Sequence, residues 1–496
     1  MDFNEFRNFG KGAIELLIRY LQNIRERDVL SSAAPFSLIH TLPNEMPERA
    51  ENWQDILNDI ETFLLPALTH WQSPNFHGFY PSSSSMGSIV GELLIAGIGV
   101  LGFNWGCSPA CTELEMIVLD WLVKFLKLPQ HFQHSVEGPG GGVILGSASE
   151  AVLIAVISAR EHMVRCTKTK HPERNERDIR AKLIAYASDQ SNSCIEKAGK
   201  LAALPFNLLP TKNDFRLHAE QLEAAIKNDL SKGLIPAMCV ATLGTTSTCA
   251  YDDIQTLSLI CQRYKIWMHV DAAYAGAALA LDEYHHLHSG LNIIDSLNIN
   301  LHKLLMVNYG CAVMWVKESQ KLVETFLVQR LYLQNNNNMN NNELPDFRNW
   351  QISLGRRFSA LKVWITFRSV GAEGLRRHLR QHIKLSKQFE RHVLADKRFE
   401  LVTKRTLGIV CFRVRGDNEL TTQLLQRIHD KKQIYLTLSM HGEMMLLRFV
   451  ICGMDTKEED VDFAWAVIQT ELMEMLKPQR EWRAIKFHCQ NRKRNK

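Results

Sequence analysis

The chain has 496 residues, 46% of them apolar and 22% charged. That balance excludes a disordered polymer and provides a core for roughly two to four structural units. The net charge of +5 is concentrated in residues 477–496, which hold eight Lys or Arg against one acid, so the rest is near neutral and offers no basic stripe for nucleic acid.

In chain order, residues 1–85 read as an N-terminal segment of helices and loops. EFRNFGKGAIELLIRYLQNI repeats its apolar residues at helical spacing, and the charges scattered through MDFNEFRNFGKGAIELL are unlike a signal peptide. The longest apolar window, SIVGELLIAGIGVLGF at 88–103, is interrupted by Glu92 and too short to span a bilayer, so no membrane partner is expected. From 86 to 360, strand-like and helix-like stretches alternate. GGVILG (141–146), AKLIAYAS (181–188), PAMCVATLG (236–244), IWMHVDAAY (266–274), DSLNIN (295–300) and CAVMWV (311–316) read as buried strands. SEAVLIAVISAREHMV (149–164), HAEQLEAAIKNDL (218–230) and DIQTLSLICQRY (253–264) read as helices. The alternation predicts a large α/β domain whose mostly parallel central sheet carries helices on both faces.

Within that domain, QNNNNMNNNELP (334–345) is polar and lacks core formers, which predicts an exposed mobile loop over about 325–350. Residues 361–475 change character. A long helical stretch, LRRHLRQHIKLSKQFERHVL (375–394), precedes short strands at GIVCFRV (408–414) and LLRFVIC (446–452), which predicts a smaller α+β domain. Residues 476–496 follow as a basic, frayed tail. The eleven cysteines are odd in number and show no zinc-ligand spacing, Cys107 and Cys111 standing alone as C-x3-C. No metal site is expected, and reduced thiols in a cytoplasmic protein are.

Ligands of open parallel sheets sit beyond the carboxyl ends of the strands. After the first strand comes GSASE, where Ser147 and Glu150 fit a capping box. A helix start presents free N–H groups that suit a phosphate, although many helices begin this way. The preceding GPGGG matches neither the dinucleotide nor the P-loop pattern. Thr245 and Thr246 follow the strand at 236–244, and Asp271 ends the apolar run at 266–271, as a turn cap or as a functional acid. Beyond 295–300 come His302 and Lys303. A lone buried lysine most often pairs with a carboxylate, but one that loses solvation also becomes a neutral nucleophile able to form a Schiff base. Lysine, acid and phosphate cradle together suggest pyridoxal 5'-phosphate, with the acid keeping the pyridine nitrogen protonated.

HWQSPNFHGFYP, GFNWGCSPACTELE, GPGGGVILGSASEA, VATLGTTSTCAYDDI, MHVDAAYAG, NINLHK and WQISLGRRFSALKVW follow one another in order through residues 1 to about 475. On these motifs the chain resembles the group II pyridoxal-phosphate decarboxylases of the aromatic L-amino acid decarboxylase type. The resemblance implies PLP fold type I and an obligate homodimer with its active site at the subunit boundary. It implies Lys303 as the Schiff-base lysine and Asp271 as the pyridinium partner. Ala148, Ser149, Asn300 and His302 would hold the phosphate region, with Thr246 beside the cofactor. Trp71, Phe79, Tyr80 and Phe103 would line an aromatic substrate pocket, Phe103 reaching in from the partner subunit. Ser82 stands where the family usually has Thr, in a segment touching the substrate. Tyr332 matches the mobile-loop tyrosine that protonates the substrate α-carbon.

One departure bears on the reaction. In SDQSNSCIEKAG (188–199), Asn192 occupies the position where ordinary decarboxylases have His stacked over the cofactor. Asn192, with Phe79–Tyr80 in that order, is similar to the insect 3,4-dihydroxyphenylacetaldehyde synthase branch of the family. That similarity implies decarboxylation and oxidative deamination of L-dopa by molecular oxygen, giving the aldehyde, carbon dioxide, ammonia and hydrogen peroxide. An ordinary decarboxylase releasing dopamine or a related amine is the alternative. Leu304, Tyr309–Gly310 and the asparagine run depart from common residues of the family and bear on loop closure.

Overall fold

The computed structural model describes residues 1–82, 84–135, 138–328 and 345–494, with side chains as far as 477. Two compact units emerge: residues 82–383, and residues 1–81 together with 384–496.

The larger unit is built on a seven-stranded sheet. Its strands are β1 (Gly141–Leu145), β2 (Leu183–Ser188), β3 (Phe206–Leu209), β4 (Ile235–Thr242), β5 (Trp267–Asp271), β6 (Ser296–Asn300) and β7 (Ala312–Val316), in the order β1-β7-β6-β5-β4-β2-β3. All neighbours pair in parallel except β7, which runs antiparallel to both β1 and β6. Strands β1, β5, β6 and β7 are buried along their whole length; β1 and β7 read as near-continuous apolar runs, whereas β5 and β6 carry polar residues on one face. The helix Ala148–Lys170 supplies Ala151, Val152, Ile154, Ala155 and Val156 to the core against Met238, Val240, Trp267, Met314 and Val316.

The glycine run that enters β1 serves packing. A Cβ on Gly142 would lie 2.6 Å from Cδ1 of Trp315, the cross-strand partner on β7. Strand β1 is an edge, and side chains satisfy the backbone groups it turns outward. Glu115 Oε1 accepts from Ile144 N at 2.8 Å, while Arg356 Nη2 donates to Ile144 O at 3.1 Å and to Glu115 Oε1 at 2.6 Å. His134 Nε2 lies 3.1 Å from Gly142 N and 2.8 Å from Gly142 O. The side chains of Glu115 and Arg356 are 4% and 5% exposed.

The other unit holds the antiparallel sheet β10-β11-β9-β8, formed by β8 (Phe399–Leu401), β9 (Ile409–Val414), β10 (Thr437–His441) and β11 (Met444–Val450). Its core joins Phe389, Phe412, Phe449 and Trp465, with Phe389 and Phe449 stacked at 3.6 Å. Residues from the two ends of the chain meet here: Val29 N donates to Lys432 O, and Arg25 pairs with Asp460. The helix Glu458–Arg494 carries the backbone through the basic stretch that the sequence marks as a frayed tail.

The three strands that the sequence pattern does not announce are β3, β8 and β10. Each is an edge strand. Strand β3 is four residues between Pro205 and Pro210, three of them half-buried, β8 is three residues long, and β10 is half-exposed. An edge needs no continuous apolar run, so its signal is weak.

Candidate active site

Strands β4, β5 and β6 are parallel neighbours, so their carboxyl ends open on one side of the sheet. Asp271 is the last residue of β5 and Asn300 the last of β6. Lys303 sits in the single helical turn Leu301–Leu304 that follows β6. It is half-buried, so its amine is partly stripped of water.

Asp271 is 4% exposed. Both hydrogen bonds its carboxylate accepts fall on Oδ1, from Asn298 Nδ2 and from Ala273 N, each at 3.0 Å. Oδ2 is thereby uncommitted among the described residues. The amide oxygen of Asn300 is buried and accepts no hydrogen bond among the described residues. His302 Nδ1 lies 2.8 Å from Cys311 O. Burial pushes His302 down to about 4, against its bond to Cys311, and the neighbouring Lys303 charge lowers it further. A neutral imidazole therefore adjoins the lysine.

The helix Ala148–Lys170 begins with Ser147, whose Oγ accepts from Glu150 N at 3.2 Å. The Glu150 carboxylate turns back to accept from Gly146 N at 2.9 Å, one residue before the N-cap, so only the Ser147 half of the expected capping box forms. The N–H groups of Ala148 and Ser149 have no partner among the described residues. They are the donors such a helix start offers to a phosphate.

Asn192 is the N-cap of the helix Ser193–Leu201. Its Oδ1 accepts from Cys194 N at 3.0 Å, and its Nδ2 donates to Thr246 Oγ1 at 2.9 Å. The buried Cys194 thiol, pushed up to about 12, ties distant segments together. Burial is the main cause, the Asp271 carboxylate adds to it, and the Lys303 ammonium and a hydrogen bond with Ser149 oppose it. Ser149, Asp271 and Lys303 thus act on one thiol.

The sequence-derived substrate residues fall in both units. Trp71, Phe79 and Tyr80 belong to the unit formed by the chain ends, where the Trp71 and Phe79 rings stack at 5.5 Å and Arg448 lies 4.9 Å from the Tyr80 ring centre. Phe79 has a left-handed backbone, φ 50°, unfavourable for a bulky residue, and is 47% exposed. Its carbonyl is held by Arg448 Nη2. Ser82 and Phe103 belong to the larger unit and are half-buried. Tyr332 and most of the expected mobile loop lie outside the described residues.

Sequence reasoning passed over Cys194, His269, Ser296 and Asn298. The last three form a polar stripe inside β5 and β6. Their signal was available: polar residues two apart within an apolar run share one face of a strand.

Comparison with known proteins decides the family. The pyridoxal-dependent decarboxylase conserved domain matches residues 35–415. The chain belongs to that family. It is 58% identical over 475 residues to 3,4-dihydroxyphenylacetaldehyde synthase of Drosophila melanogaster, covering 96% of this chain and 93% of the relative. To aromatic-L-amino-acid decarboxylase of the same fly it is 42% identical, covering 96% and 92%. The crystal structure of Oryza sativa TDC with PLP and tryptamine superposes with a TM-score of 0.92 at 31% identity, covering 96% of this chain and 99% of that one. The fold is therefore the α/β fold of PLP-dependent decarboxylases, and the enzyme is PLP-dependent. The donor set described above suits this cofactor: a half-buried amine, a carboxylate with one oxygen uncommitted, and unpartnered N–H groups at a helix start.

Proposed function

We propose that the protein converts L-dopa, dioxygen and water to 3,4-dihydroxyphenylacetaldehyde, carbon dioxide, ammonia and hydrogen peroxide. The observation that carries this reading is Asn192, an amide held between Cys194 N and Thr246 Oγ1. The name of the 58% identical relative supports it, as does the lower identity to the ordinary decarboxylase.

When bound, pyridoxal phosphate supplies an electron sink for the pair released as the carboxylate leaves. Lys303 would hold its aldehyde carbon, Asp271 would keep its ring nitrogen protonated, and Ala148 and Ser149, with Asn300 and His302, would hold the phosphate region. Thr246 would lie beside the cofactor, fixing Asn192. The amide of Asn192 donates a hydrogen bond but does not titrate near neutral pH, whereas imidazole does. A slow return of the proton to the α-carbon gives dioxygen time to take the electrons. A tenfold change in that competition needs only about 1.4 kcal/mol, within the reach of one residue. Trp71, Phe79, Tyr80, Ser82 and Phe103 would receive the catechol side chain, and Tyr332 the protonation role implied by its motif.

We read the active species as a homodimer. The helix Met86–Ile98 leaves Val90, Leu93, Leu94 and Ile98 exposed in one chain, an apolar face of the kind that a second copy covers. A cytoplasmic setting accords with ten free cysteines among the described residues.

Product analysis with L-dopa in air and without air tests the reaction. Aldehyde and peroxide in equal amounts are expected in air, and Asn192→His is expected to restore substantial amine. A wild-type enzyme that releases amine alone, with no peroxide, would overturn the reading in favour of an ordinary decarboxylase.

A further inference from the structure

Trp267, His269 and Asp271 are alternate residues of β5 and share one face of the sheet. Ser296 and Asn298 do the same on β6, and the register sets His269 opposite Ser296 and Asp271 opposite Asn298. Trp267, His269, Ser296 and Asn298 have apolar flanks, Met238 and Val240 on β4 and Met314 and Val316 on β7, while Asp271 stands opposite Thr242 on β4. His269, Ser296 and Asn298 are fully buried. Water reaches none of them, so each must be satisfied by its neighbours.

They are joined end to end. Trp267 Nε1 donates to Ser296 Oγ at 2.8 Å. Ser296 Oγ lies 2.7 Å from His269 Nδ1, and His269 Nε2 lies 2.7 Å from Asn298 Oδ1. Asn298 Nδ2 then donates to Asp271 Oδ1 at 3.0 Å. The direction of every bond follows from the two ends. An indole N–H only donates, and an ionised carboxylate only accepts. Asn298 must turn its NH2 to Asp271, so its oxygen faces His269 and requires an N–H there. His269 therefore carries its proton on Nε2. Burial holds the ring at about 4, well below the usual imidazole range and against the pull of Asp271, so Nδ1 is bare and accepts the Ser296 hydroxyl proton. All four donors point toward Asp271.

We propose that His269 is a positioning residue for the cofactor: its Nε2–H locks the sense of the Asn298 amide, which holds Asp271 by Oδ1 and leaves Oδ2 for the cofactor ring nitrogen. Without that N–H, Asn298 is free to flip and turn its own oxygen toward the carboxylate. Ser296 and Trp267 fix the tautomer from behind, and Lys321 Nζ lies 5.4 Å from the Trp267 ring centre at the far end of the chain of bonds. The inference rests on the reading above that Asp271 serves the ring nitrogen.

The test uses full-length holoenzyme and follows PLP dissociation and the visible absorption band, without turnover. His269→Leu is expected to weaken PLP binding about tenfold or more and to alter the band, because a buried amide loses its partner. His269→Gln retains an N–H for Asn298 and is expected to stay within about threefold of the parent. Ser296→Ala, which removes a single oxygen, is expected to fall between them. His269→Leu that folds yet keeps parental affinity and band overturns the inference, as does equal damage in the Leu and Gln variants. Should His269→Leu fail to fold, Ser296→Ala decides: an unchanged spectrum and affinity overturn the inference, and a change in both supports it. Asp271→Asn separates the two levels. If it leaves PLP untouched, the assignment of Asp271 itself fails; if it releases PLP while His269→Leu does not, only the role of His269 fails.

Discussion

At the β1 edge, Glu115 and Arg356 close on each other and on Ile144, and every group there is answered by another. Around β5 and β6, the bonds that start at Trp267 end on Asp271 with one carboxylate oxygen left over. Both clusters are buried, polar and part of the same sheet. The first is saturated and holds structure together. The second leaves Asp271 Oδ2 without a hydrogen bond among the described residues, and that atom lies where the parallel strands end. A buried carboxylate whose partners all sit on one oxygen marks a place kept for a ligand.

The contrast breaks first at Arg356. Arg356→Met leaves the Glu115 charge buried without its counter-ion and is expected to cost about 3–5 kcal/mol in urea unfolding. Replacing both Glu115 and Arg356 by Leu should recover only part of this, since Ile144 N–H and C=O still lose their partners. A cost under about 1 kcal/mol for Arg356→Met would erase the distinction.

Next in size is acid. His269 is held at about 4, below its ordinary 6.5, so between those values the unfolded chain binds a proton that the folded chain refuses. Its contribution to stability is complete above about 6.5 and is lost as pH falls toward 4. Urea midpoints measured across this window should fall less steeply for His269→Gln than for the parent, and PLP should leave the parent over the same range. Equal slopes would contradict the burial of a neutral ring.

Smaller effects sharpen the comparison. Ser147→Ala removes the cap of the helix Ala148–Lys170 and is expected to cost about 1 kcal/mol in folding, with weaker PLP binding beside it. Asp271→Asn should cost the apoprotein least, under about 1 kcal/mol, because an amide oxygen still accepts from Asn298 and Ala273 and no charge remains buried. A large loss of apoprotein stability in Asp271→Asn would place Asp271 with Glu115, among the residues that hold the fold.

Much of this was legible in the sequence because it is local. Apolar runs announced the buried strands, and Asp271 and Lys303 stood out as charges at the ends of such runs. Ser147 declared a helix start. What the sequence withheld depends on register and on long reach. Nothing local sets Asp271 opposite Asn298, a pairing made by two strands 27 residues apart. Glu115 and Arg356 are separated by 241 residues, and no spacing rule joins them. The edge strands β3, β8 and β10 were silent because half their surface faces away from the core. Asn192 was legible as a departure from a motif, but its two hydrogen bonds were not.

The dressing of β1 has a further consequence. A bare outer row on that strand would offer donors and acceptors to any extended peptide, including a second molecule caught part-way through folding. With His134 standing at Gly142, and Glu115 and Arg356 at Ile144, no eighth strand can add there. Losing Arg356 would therefore do more than soften the fold: it would unmask a template for aggregation, visible as light scattering that grows with protein concentration.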